Sequence, residues 1–204
     1  MDRYFLYRRM HSLSGVVPLG LFLMEHIFTN SFALYGPERF DAQVRLLHRL
    51  PFLPAIELLL ILLPLAYHGI YGLYVTLNGQ LNVSRYGYGR NWAYVLQRLT
   101  GVITLAFVGW HFWALRLQSM LTGNVATFEQ VAAVFRGSPA VTTLYGLATV
   151  SAIYHFTNGL WGFAVDWGFA VGSRAQTVLA RWCWGLFGAM TAATLAFMAA
   201  FIRL

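Results

Sequence analysis

The sequence predicts an all-α membrane protein, a single integral domain over residues 1–204 with five transmembrane helices. Three observations predict it. Hydrophobic residues make up 58% of the chain and charged residues only 10%, an apolar excess beyond soluble proteins. The apolar residues fall into five runs, about 12–34, 55–77, 95–117, 141–163 and 181–202, each long enough for the roughly 20 residues a bilayer core requires. One histidine stands inside each of the first four runs, a costly choice that needs a reason. Helices are the expected solution, because an open chain in lipid must pair its backbone amides within each segment.

The first run follows Arg3, Arg8 and Arg9 and so imitates a secretory signal. Glu25 and His26 interrupt its apolar part and no small-residue cleavage site follows, so it reads as a retained first span. Pro18 in this span and Pro64 in the second predict local kinks, which neighbouring helices can accommodate. The third and fourth runs repeat features of the first and second. The fifth lacks histidine and contains Cys183, the one cysteine of the chain. A single cysteine excludes an internal disulfide, an iron–sulfur ligand set and a C-x-x-C-H haem attachment.

The net charge is +7, and all 14 basic residues are Arg. Most sit between the apolar runs, the pattern of charges confined to membrane edges and not of a nucleic-acid footprint. Arg3, Arg8, Arg9, Arg85, Arg90, Arg98, Arg174 and Arg181 fall on the side of the N-terminus; Arg39, Arg45, Arg49, Arg116, Arg136 and Arg203 fall on the other. The excess predicts a cytoplasmic N-terminus.

The histidines form a repeat. His26 and His111 are separated by 85 residues, His68 and His155 by 87. "AYHGIYGLY" (66–74) is echoed by "IYHFTNGLW" (153–161), and "SLSGVV" (12–17) by "RLTGVI" (98–103). This is the signature of a helix pair duplicated in one orientation, followed by an extra helix. A lone intramembrane His is commonly just hydrogen-bonded to a neighbouring helix; four in a repeated register point to a shared function.

Depth gives the pairing. At about 1.5 Å per residue, His26 and His111 lie roughly 4–8 Å beyond the midpoints of outward-running helices. His68 and His155 lie roughly 3–5 Å beyond the midpoints of inward-running ones. Two bis-histidine sites follow, one in each half of the membrane. Structural zinc wants four protein ligands. A b-type haem needs only two axial rings, so the sequence predicts two haem b groups. Gly72 and Gly159, one turn after a ligand, are candidates for lying against a flat macrocycle, with Gly15 and Gly101 as further candidates.

"RRMHSLSGVVPLGLFLMEH" (8–26), "LPLAYHGIYGLYV" (63–75), "RNWAYVLQRLTGVITLAFVGWH" (90–111) and "HFTNGLWGFAVDWG" (155–168) together resemble the cytochrome b membrane anchors of succinate:quinone oxidoreductases. The likeness is to the di-haem, five-helix type of Bacillus-like bacteria and covers essentially the whole chain, least clearly in the outer loops and last span. It implies that His26 and His111 hold the haem far from the catalytic subunits, and His68 and His155 the near one. It implies a flavoprotein and an iron–sulfur subunit as partners, with FAD and the iron–sulfur clusters confined to them. It also implies membrane quinone, expected to be menaquinone, as electron acceptor, and residence in the bacterial cell membrane. Quinone chemistry needs a proton donor, for which Glu57 is the first candidate and Glu25 a weaker one. Arg9 and Arg98 are candidates for the haem propionates, and His11 and Ser12 for contacts on the same side. Two other readings stay open: the cytochrome b anchor of a formate dehydrogenase or hydrogenase, and a transporter using histidines as a proton or metal path. The latter predicts polar residues along a transmembrane route, and the spans offer few.

Overall fold

A computed structural model describes residues 3–204 and, among them, seven helices and no strand. They are α1 (Arg3–Tyr35), α2 (Pro37–His48), α3 (Leu53–Leu77), α4 (Gly89–Thr122), α5 (Phe128–Gly137), α6 (Pro139–Asp166) and α7 (Ser173–Arg203). The backbone departs from a regular α-helix ahead of both intraspan prolines, each of which lacks an N–H to donate. α1 breaks at Val17, just before Pro18, and ends in a 3₁₀ turn, Ser31–Tyr35. α3 widens into a π-helical segment, Leu58–Leu62, immediately ahead of Pro64. A second π segment, Phe112–Leu117, follows His111 in α4.

Four helices, α1, α3, α4 and α7, are long and apolar enough to cross a membrane. Their large apolar side chains are mostly exposed, among them Ile70, Leu77, Leu121 and Trp182. That much exposed apolar surface suits lipid and not water. The fourth run expected from the sequence, 141–163, lies within α6. At 28 residues α6 is long enough, yet it falls outside that apolar set. The physical reason is its position. It packs along α4 and α7 and against α1 and α5, burying Tyr145, Ala148, Ala152, Ile153, Phe156 and Thr157. A helix covered by protein on several sides tolerates Thr, Asn and His on the covered sides, and needs less apolar surface.

The end opposite the N-terminus is closed by an aromatic cap. Phe40 of α2, Phe128 of α5 and Phe201 of α7 meet with ring centroids 4.9–6.0 Å apart, and all three are buried. α5 begins with a capping box: the Thr127 hydroxyl accepts from the Gln130 backbone N–H, and the Gln130 side chain accepts from that of Thr127. The Asp41 carboxylate accepts from the Phe128 N–H at 2.8 Å and ties α5 to α2.

Candidate functional site

The four mid-helix histidines meet in two pairs. His26 of α1 and His111 of α4 have ring centroids 5.9 Å apart with planes crossed at 80°. His68 of α3 and His155 of α6 are 6.1 Å apart, crossed at 87°. All four are only half-buried by protein.

The second pair is held by matching parts of the repeat. Nδ1 of His68 lies 2.9 Å from the His11 carbonyl, and Nδ1 of His155 lies 2.9 Å from the Gln97 carbonyl. A carbonyl can only accept, so each ring carries its proton on Nδ1 and leaves Nε2 as a lone-pair donor. Gly15 lies against the His68 ring, where an added Cβ would collide with Cε1. Gly101 stands in the same relation to His155, its Cβ meeting Cε1 at 2.7 Å. In the first pair, Nδ1 of His111 is 3.4 Å from the Tyr145 hydroxyl, and Phe107 stacks on the His111 ring at 5.5 Å.

Do these residues fit a haem? A metal–imidazole bond of about 2.0 Å plus half a ring on each side puts two axial rings about 6 Å apart, the separation found in both pairs. Among the described residues no group of three His, Cys, Asp or Glu gathers at one point, so each site offers two protein ligands, the number a porphyrin leaves free. Buried cationic donors are also left over. Arg9 and Arg98 each hold a buried Nε–H with no acceptor. The Arg9 guanidinium lies over Phe5 and Trp167, and that of Arg98 over Tyr94 at 3.4 Å. The residues fit the group.

Other expected residues fall nearby in different roles. Gly72 faces His11, whose Nε2 lies 3.0 Å from a built Cβ; Gly159 faces Gln97 Nε2 at 3.2 Å. The glycines against the histidine rings are thus Gly15 and Gly101. His11 stacks on His68 with centroids 4.1 Å apart. Ser12 accepts from the Trp167 indole N–H at 3.1 Å. Glu25 accepts from Thr29 at 2.6 Å, within its own helix. Glu57 is paired with Arg116 at 2.6 Å. Arg116, Gln97 and Tyr145 were not foreseen as site residues. Gln97 was findable, since it occupies the repeat position of His11.

Described residues that form only helices, four of them apolar and of membrane length, define a helical membrane protein, here with two crossed histidine pairs inside it. Residues 82–201 match the family described as the succinate dehydrogenase/fumarate reductase transmembrane subunit. The chain is also 44% identical over 177 residues, 87% of each sequence, to the succinate dehydrogenase cytochrome b558 subunit of Bacillus subtilis (strain 168). The chain therefore belongs to the family of succinate dehydrogenase/fumarate reductase cytochrome b membrane subunits.

Proposed function

We propose that this chain is the di-haem anchor of a succinate:menaquinone oxidoreductase, one membrane domain in which α1, α3, α4, α6 and α7 all cross the bilayer. The observation that carries this reading is the pairing of four mid-helix histidines at 5.9 Å and 6.1 Å in a chain 44% identical to a succinate dehydrogenase cytochrome b558 subunit. α6 counts as the fifth span because 28 residues at about 1.5 Å each exceed the roughly 30 Å of a hydrocarbon core. The arginine excess orients the N-terminus toward the cytoplasm of a bacterial cell. On that face the flavoprotein and iron–sulfur subunits dock.

In this reading His68 and His155 hold the inner haem b, and His26 and His111 the outer. Bound there, the haems supply one-electron transfer between a partner's iron–sulfur clusters and membrane quinone. The chain's own residues prepare the ligands. The carbonyls of His11 and Gln97 fix the tautomers of His68 and His155 and make Nε2 more basic. Gly15 and Gly101 leave the two rings room to stand upright. Gly72 and Gly159 do the same one layer out, for the side chains of His11 and Gln97. Arg9 and Arg98 direct their unpaired Nε–H groups to propionates. Glu57, at the outer end, exchanges protons with quinone at a site lying at least partly in this chain.

The difference spectrum of the purified complex, dithionite-reduced minus oxidised, tests the class. A b-type signal is expected; a chain that co-purifies with its partners and gives none contradicts the reading.

A further inference from the structure

Arg116 stands at the outer end of α4, five residues past His111, and neither histidine pair uses it. Its Nη2 donates to Glu57 Oε2 at 2.6 Å. Its Nη1 lies 3.5 Å from both Ser119 Oγ and His48 Nε2. Its Nε–H is buried and has no acceptor. The Nε–H can only donate, so its lack of a partner costs free energy until an acceptor arrives.

The surroundings restrict what that acceptor is. The two π segments, Leu58–Leu62 and Phe112–Leu117, begin directly after Glu57 and His111, and π segments inside α-helices are frequent at functional sites. Trp113 lies one turn before Arg116 and Leu60 one turn after Glu57. To the side, Leu59, Leu60 and Trp113 are exposed apolar surface facing lipid. A ligand reaching Arg116 laterally is lipid-soluble and presents a bare oxygen acceptor.

We infer that Arg116 binds one carbonyl oxygen of the quinone through its Nε–H, while its Nη2 holds Glu57 next to that oxygen. This rests on the quinone-reducing reading above. Arg116 transfers nothing: it orients the ring and offsets negative charge as electrons reach it.

The test is steady-state reduction of 2,3-dimethyl-1,4-naphthoquinone by the purified complex, with rates normalised to haem content. Arg116→Gln and Arg116→Lys are each expected to raise KM about tenfold, the worth of one hydrogen bond from a charged donor. Lys keeps the charge opposite Glu57 but cannot supply a second donor at the Nε position. Glu57→Gln is expected to lower kcat with a smaller change in KM. An unaltered KM in Arg116→Lys overturns the proposal, and is the result if a lipid phosphate is the acceptor. Loss of haem in both variants assigns Arg116 to the fold and overturns it equally. A wild-type complex with no quinone reductase activity refutes the parent reading instead.

Discussion

At the scale of single residues, the decisive contacts are those between glycine and histidine. Gly15 and Gly101 touch the rings of His68 and His155 so closely that even a methyl group requires the ring to move. Overpacking of this kind costs about 1–3 kcal/mol, here charged against the geometry of a ligand. Gly15→Leu and Gly101→Leu are therefore expected to deplete the inner haem while the chain still inserts, read as haem per polypeptide. Full occupancy in both variants would remove these glycines from the site. The histidine pairing was legible in the sequence because depth along a helix follows directly from residue number. Gly15 and Gly101 were legible as candidates, but the ring each one touches was not, since that ring lies on a different helix. Spacing along one helix singled out Gly72 and Gly159, which share a face with their histidines but lie against His11 and Gln97.

At the scale of elements, two short helices between the spans matter more than their place in polar connections suggests. α2 and α5 supply Phe40 and Phe128 to the cap over the end opposite the N-terminus. Their ends are fixed by Thr127, Gln130 and Asp41. Thr127→Ala and Asp41→Ala are each expected to cost about 1 kcal/mol. Loss of the outer-haem absorbance on heating should then come at lower temperature, with the inner-haem signal less affected. Equal displacement of both signals would show that the cap stabilises the whole bundle and not its outer end. The T-x-x-Q pattern at 127–130 is a helix-start signal readable from the sequence; hydrophobicity, which located the long runs, overlooks it. The same bias explains α6. Its run of apolar residues marked a span, but its Thr, Asn and His reflect neighbours on several sides, which no linear pattern displays.

At the scale of the whole molecule, duplication explains the architecture. Backbone carbonyls at 11 and 97, glycines at 15 and 101, and histidines at 68 and 155 occupy equivalent places in two helix pairs that face each other. One histidine from each copy enters each pair, so two copies produce two pairs. The added α7 covers α6 on its remaining side. On the proposed function, His68 with His155, and His26 with His111, are two separate bis-histidine haem sites. Haem b per polypeptide, measured in the purified complex for each single His→Ala variant, tests it most directly. Two haems are expected in the wild type, with His68→Ala and His155→Ala losing the same spectral component and His26→Ala and His111→Ala losing the other. A wild type with one haem, or variants of one pair that lose different components, would contradict the account.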